Sequence, residues 1–442
     1  MSAPHEPLDL AADLVRRARA LGAQEASVGV SEGSSIQLTR RDRRVEQASE
    51  ASTRRVQLSL LVDDRYSAHA TSDLRPEAVE RFLARAIAAT RYLERDPDRA
   101  LPDAALCGRG ATEEALDHHD HLRADYSAEA RATLAERLEA AVLDRADERF
   151  ISASIFVADG ASRFAQATSH GFADTSASTW FQHGASITLA DGDRRPEGTS
   201  YYAACHNADM PGIDHIAVEA HERARETLGA APISSGRYPM VLANHAAGRI
   251  LGVLNGPLSG YSIHHGRSCL ADKLGQPIGN QRLHLVDDPT IPRGLGSTPW
   301  DDDLLVARPR TIVEHGVLRS HYLDVYHARK LGRQPTTGSR TNWVLQPGNR
   351  SWQAIAAELP KAILVTGFLG GNANSLTGDF SFGIRGRLLE HGHPTTALAE
   401  MNVAGNLLRI FHQLQEVADD PWNWSSVRSP TLVFEDVQFS GV

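Results

Sequence analysis

Leu10, Leu14, Val15, Ala18 and Leu21 recur at helical spacing and stop at Gly22, which predicts a first helix over residues 8–21 closed by a glycine C-cap. The period then changes. Between residues 23 and 71, apolar and polar positions alternate in segments broken at Glu32-Gly33 and Asp63-Asp64, a pattern of three or four strands. Val79, Leu83, Ala86 and Ile87 share one face of a second helix that starts at Pro76. Residues 96–121 (DPDRALPDAALCGRGATEEALDHHDH) follow neither period and are dense in Pro, Asp and Gly, so they read as an exposed connector. A third helix over 127–143 presents Leu134, Leu138, Ala141 and Val142 as its buried stripe. Asp159-Gly160 and Asp191-Gly192 then read as the turns of two hairpins, and a helix over 215–228 follows them.

Helix, strands, helix occurs twice in this order, which predicts two related α+β units, 1–96 and 122–230, within an N-terminal domain 1–230 of helices packed on antiparallel sheets. From Ser235 the texture becomes glycine-dense and strand-like with few long helical patterns. This predicts a β-rich, barrel-like domain over 235–442, with the boundary at Ala231–Ser234. The expected fold class is α+β.

Composition narrows the function classes. At 442 residues, 41% hydrophobic and 23% charged, the chain is an ordinary globular protein with room for two or three domains. A net charge of -9 disfavours nucleic acid as a partner, because holding phosphates needs a basic face. The run Thr39–Arg44 (TRRDRR) reads as a solvated strand edge or hairpin. The beginning, MSAPHEPLDLAADLVRRARALG, carries charges through its apolar positions and reads as an amphipathic helix rather than a signal peptide. No uncharged apolar stretch reaches the ~18 residues of a membrane span. Cys107, Cys205 and Cys269 lie far apart in no CxxC spacing, which fits a reducing cytoplasm.

Candidate chemistry is sparse. Asn244–Ile250 (NHAAGRI) follows a strand-like segment and opens a helix, a place where a metal site can be built. A zinc peptidase helix, however, needs two imidazoles and a carboxylate that takes a proton from the metal-bound water. Here only His245 is present; Ala246 stands at the base position, and neither Arg249 nor Ile250 supplies a second imidazole. His118-His119 and His121 sit in the connector and read as solvated, and His264-His265 beside Gly266 reads as a flexible turn. Asp287-Asp288 and Asp301–Asp303 match no calcium loop, and Asp288-Pro289 is a turn signal. No GxSxG elbow, P-loop or strand-borne GxGxxG occurs. The stretch Gly367–Gly383 (GFLGGNANSLTGDFSFG) is read in two ways: as a loop offering bare N–H and C=O groups to a peptide, or as a plain strand connection.

Several segments together resemble the PmbA/TldE branch of the TldD/PmbA family: SGRYPMVLANHAAGRIL (235–251), GRSCLADKLGQPIG (266–279), LVDDPTIPRGLGSTPWDDD (285–303), EHGVLRSHYLDVYHARKLG (314–332), NANSLTGDFSFGIRG (372–386), MNVAGNLLRIF and SPTLVFEDVQFSG. The resemblance is looser before residue 230. It implies an α+β N-terminal part, a β-rich C-terminal domain, and a heterodimer in which a TldD-like subunit carries an HExxxH zinc helix with a late cysteine ligand. Here the matching place reads HAAGRI from His245, and the last cysteine is Cys269. The resemblance therefore implies a metal-free subunit with no catalytic residues and no cofactor of its own. Zinc is expected in the TldD-like partner, and unfolded peptides or peptide-like precursors are the expected substrate. Residues expected at the substrate or partner surface are His245, Gly370, Gly371, Asn372, Asn374, Asp379 and Ser381. The alternative is a homodimeric, non-enzymatic peptide-binding or modulator protein.

Overall fold

The computed structural model describes residues 6–442; the part of the N-terminal reading that falls on residues 1–5 lies outside them. Helix α1 (Pro7–Ala20) begins with proline, carries Asp9 in its first turn and Arg17 and Arg19 in its last, and so complements its own dipole. Gly22 beyond it takes φ +101°, as a helix-terminating glycine does. Three strands follow, β1 (Glu25–Arg41), β2 (Arg44–Val62) and β3 (Arg65–Thr71). Asp42-Arg43 and Asp63-Asp64 have positive φ at both residues, the geometry of a two-residue turn matched to the twist of a hairpin. Glu32-Gly33, read as a strand break, instead lies inside β1. Pairing runs unbroken through it on both sides, with Gly33 opposite Thr53 and Ser162.

After α2 (Pro76–Thr90) the connector forms only short helical pieces, including α3 (Glu113–Leu116). It is not solvated throughout, as its composition suggests. His118 and Asp120 are 4% and 6% exposed, because the Asp120 carboxylate accepts from Leu122 N and Asn207 N while its own N–H donates to Thr179 Oγ1. The second unit repeats the first: α4 (Ala128–Leu143), β4 (Phe150–Thr168), β5 (Ala173–Leu189), β6 (Glu197–Ala204) and α5 (Ile213–Arg225). Asp159-Gly160 is no turn. Both residues sit mid-β4 without positive φ, and a side chain at Gly160 would meet the Trp180 ring at 2.4 Å. Asp191-Gly192 does turn, with Gly192 at φ +62°.

The two units join into one antiparallel sheet of order β3-β2-β1-β4-β5-β6, in which β1 and β4 are the central pair. Val28, Val30, Leu58 and Leu60 pack under α1 and α2, and Ile155, Val157 and Ile187 pack under α4 and α5. The alternate positions Ser27, Gly29, Gln57, Ser59 and Gln166 stay polar or small.

The remaining chain runs β7 (Gly236–Leu242), α6 (Asn244–Leu251), α7 (Asn255–Leu258), α8 (Gly260–His264) and β8 (Leu285–Asp287). It continues through β9 (Arg310–Glu314), β10 (Val317–Leu318), α9 (Val325–Lys330), β11 (Trp343–Leu345) and α10 (Trp352–Ala357). The last elements are β12 (Lys361–Ala373), β13 (Asp379–Glu390), β14 (His393–Asn406), α11 (Leu407–His412), β15 (Leu414–Val417), β16 (Val427–Arg428) and β17 (Leu432–Ser440). Strands pair in the order β14-β13-β12-β7-β17-β15, and a further β14–β17 pairing closes the sheet into a barrel. Leu242, Ile250, Phe380, Phe411 and Phe434 meet in its core. The architecture is thus α+β with a barrel-like C-terminal part. Among the described residues no helix is long and apolar enough to cross a membrane.

Candidate functional site

Met240, Val241 and Leu242 anchor β7 in the core, and the chain turns directly into α6 at Asn244. Asn244 is held from below, its Nδ2 donating to Asp420 O at 2.8 Å. The buried side of α6 carries Ala247, Ile250 and Leu251, all 0% exposed. His245 and Arg249, one turn apart, occupy the same other side.

Both reach for strand β12. Beyond Val365, β12 has left its neighbour β7 and pairs only with β13, so its other edge carries unpaired carbonyls. His245 Nε2 donates to Thr366 O at 2.9 Å. The Arg249 guanidinium lies 3.4 Å from Gly370 O and 3.3 Å from Gly371 O, with its carbon 4.5 Å from the centre of the Phe382 ring. Burial, reinforced by the nearby Arg223 charge, pushes the His245 imidazole down to about 4, so it is neutral at pH 7. Arg249 as a partner of the glycine carbonyls was not foreseen. Its i,i+4 spacing from His245 was the available signal.

The glycine- and asparagine-rich stretch is a strand end and a tight turn. Gly370, Gly371 and Asn372 belong to β12, where the register slips between Leu369 and Asn372. Gly371 takes φ +90°, and a Cβ there would stand 2.2 Å from Ser381 O, so only glycine fits this bulge. Asn372 lies opposite Ser381 on β13. Asn374 opens the turn, accepting from Leu376 N through its side chain and donating its backbone N–H to Asp379 O. Asn406 Nδ2 ties the turn down through Thr377 O and Asp379 Oδ1, which with Thr377 holds the Asp379 carboxyl below its usual range. The structure thus places His245 against Thr366, not against Gly370 and Gly371, which Arg249 meets instead; Asn372, Asn374, Asp379 and Ser381 lie further along the same exposed hairpin.

A second feature escaped the sequence reading. The polar face of the N-terminal sheet and the Thr298–Leu304 segment enclose a cavity of 530 Å³ lined by Ser27, Gly29, Gln57, Gln166, Trp300 and Asp301. Asp301 is 8% exposed and accepts from Asp303 N and Leu305 N; burial and the Asp303 charge push its carboxyl up to about 6. Nothing in the string Trp300–Asp303 announces that one aspartate of the run is interior.

This combination of a duplicated α+β sheet and a closed barrel is the fold of a known metallopeptidase class. Family models for the PmbA/TldA metallopeptidase match in chain order, domain 1 over residues 26–90, the central domain over 122–228 and the C-terminal domain over 235–441. The chain belongs to the PmbA/TldD family. It is 26% identical over 421 residues to the metalloprotease PmbA of Escherichia coli O157:H7, covering 94% of this chain and 92% of that one. A crystal structure of a proposed modulator of DNA gyrase from Bacteroides thetaiotaomicron superposes with TM-score 0.95 at 34% identity, over 99% of this chain and 100% of that one. TldE from Thermococcus kodakarensis shares the fold, with TM-score 0.86 at 18% identity over 97% and 99%.

The zinc of a metallopeptidase does not fit helix α6. Ala246 and Ile250 carry no donor atoms, His245 Nε2 is engaged with a carbonyl, and the Arg249 cation stands one turn away on the same side. A divalent cation there would have one imidazole and a fixed positive neighbour, whereas catalytic zinc needs three protein ligands.

Proposed function

We propose that this chain is the TldE/PmbA-like subunit of a heterodimeric zinc metallopeptidase and supplies no catalytic metal site of its own. A TldD-like partner contributes the zinc and the hydrolytic chemistry. The observation that carries this reading is the use of α6: the positions of a zinc helix are filled by Ala246, Ile250 and a histidine that bonds the backbone of β12. The substrate class is an unfolded peptide or a peptide-like precursor, including one in natural-product maturation. The exposed hairpin through Gly370, Gly371, Asn372, Asn374, Asp379 and Ser381 is its part of the shared cleft, where backbone groups suit sequence-tolerant binding.

Cytoplasmic residence is part of the proposal and agrees with three free cysteines. A nucleic-acid partner is disfavoured by what became of the arginine run. Arg40 pairs with Glu139 of α4 at 3.0 Å and Arg41 with Glu46 at 3.3 Å, so two of the four arginine charges of the run are matched by carboxylates.

Co-expression with a TldD-like protein tests the reading, by peptide turnover and zinc content of the pair and of each chain alone. Turnover by the pair and none by this chain is the expected result. Hydrolysis by this chain alone, lost on His245→Ala, overturns it.

A further inference from the structure

Outside α6, His264 and His265 at the end of α8 meet His327 of α9, and one ring nitrogen of each lies within 4.8 Å of the others. The sequence reading set His264-His265 aside as a turn, and nothing in the string joins them to His327, which arrives because α8 and α9 pack against each other. We propose that these three imidazoles form a binding site for a borderline divalent transition metal of the zinc class, distinct from any catalytic zinc of the family and located on this chain.

The surrounding hydrogen bonds prepare the imidazoles as ligands. His327 Nδ1–H donates to Asp324 Oδ2 at 2.6 Å, the carboxylate–histidine arrangement that fixes ring orientation and leaves Nε2 with its lone pair. His265 Nδ1–H donates to Tyr261 O at 2.8 Å, which likewise leaves Nε2 free. The His264 Nδ1 atom is buried without a hydrogen-bond partner.

Two features test this assignment physically. Lys330 is the cation nearby, but its ammonium is paired with Asp96 at 2.9 Å and Asp98 at 2.8 Å, which compensates its charge. Zinc–nitrogen bonds require ligand atoms about 3.4 Å apart in a tetrahedron. The closure from the present spacing falls to His265, the exposed member of the three. Three nitrogens leave a fourth position for water. Imidazole donors select zinc, nickel, copper or cobalt over magnesium and calcium.

The location points to a structural or regulatory metal. Helix α9 is the clamp between the C-terminal part and the connector: Arg329 donates to Asp98 O, Ala100 O and Leu101 O, and Tyr326 OH to Asp96 at 2.9 Å. A metal joining α8 to α9 stiffens that seam.

The inference does not depend on the partner-subunit reading, and one experiment separates them. The full chain is purified alone, stripped with chelator and titrated with Zn²⁺. Zinc is measured by atomic spectrometry, Co²⁺ by its visible ligand-field bands, and stability by Tm with and without Zn²⁺. The expected result is about one zinc per chain, a tetrahedral Co²⁺ spectrum and a raised Tm. Affinity falls roughly tenfold or more in His265→Ala and His327→Gln, while His315→Ala, at a different histidine pair, retains it. His265 is exposed, so its variant folds and keeps the test decisive. Equal zinc binding in wild type and His265→Ala, or a Tm that saturating zinc does not move, overturns the site. Zinc that survives both cluster variants and is lost on His245→Ala overturns it too, and the partner-subunit reading with it.

Discussion

His245 and Thr366 are joined by a hydrogen bond of 2.9 Å from imidazole Nε2 to the backbone carbonyl, at the point where β12 loses β7 as a neighbour. Since a carbonyl only accepts, the imidazole carries its proton on Nε2. The residue that in a zinc helix would present a lone pair to the metal here presents a proton to the backbone. Arg249 extends the same fastening one turn further, to Gly370 and Gly371.

Acid stability follows from His245 and His183. Burial holds both at about 4 against 6.5 when unfolded. The unfolded chain therefore binds more protons between pH 6.5 and pH 4, so this contribution is complete above 6.5 and is lost as pH falls through the window. Each histidine accounts for about 3 kcal/mol at most. Asp301 runs the other way, since its folded pKa of about 6 lies above 3.8 and it gains stability as pH falls below 6. The expected net outcome is a lower denaturant midpoint at pH 5 than at pH 7. His245→Gln, which keeps a donor for Thr366 O, should flatten the slope; an unchanged slope refutes the buried neutral histidine.

The bulge in β12 separates two glycines. Gly370→Ala meets nothing within 4 Å and bears only the strain of φ +60°, about 1 kcal/mol. Gly371→Ala bears comparable backbone strain and drives a methyl into Ser381 O and Phe382 Cα, so it should cost clearly more. Chemical denaturation of the two variants gives the comparison. Equal costs would mean that the hairpin does not fold back on itself as described.

Asp159 is fully buried, with Arg131 at 2.5 and 2.8 Å and Arg123 at 2.8 Å. Asp159→Asn leaves two guanidinium groups facing a neutral amide with 6% and 13% side-chain exposure. A loss of about 3–5 kcal/mol is expected, because an uncompensated buried charge is costlier than the pair was worth. Urea unfolding measures it, and a loss below about 1 kcal/mol would mean the site is wet.

The same aspartate shows where reading the string reaches its limit. The helices were legible because side chains such as Val79, Leu83, Ala86 and Ile87 all face one core, so periodicity reports burial directly. Asp63-Asp64 was legible as a turn because both residues adopt positive φ. Asp159-Gly160 has the same dipeptide chemistry but lies mid-strand, where Arg131 from α4 and Trp180 from β5 determine its environment. Glu32-Gly33 failed likewise, since small residues on the polar face of β1 imitate a break. The missing ligands of α6 could be read letter by letter. The partners of His245, Asp301 and His327 could not, because each is brought in from a distant part of the chain.

Rebuilding the zinc helix in this chain should fail, for a reason independent of the missing letters. Ala246→Glu and Ile250→His restore the HExxxH pattern, but Ile250 is 0% exposed and packs in the barrel core. A histidine there loses about 2–5 kcal/mol of packing and buries a polar ring without a prepared partner. His245 would still have to give up Thr366, Arg249 would still place a cation beside the metal, and Cys269 sits against the β12–β13 turn, its N–H donating to Ser375 O at 2.9 Å. The double variant, in a His265→Ala background to silence the other cluster, is expected to show a lower Tm, no stoichiometric zinc and no peptide hydrolysis. Stoichiometric zinc together with turnover would show that α6 is a metal helix lacking only its letters, and the division of labour between two subunits would have to be abandoned.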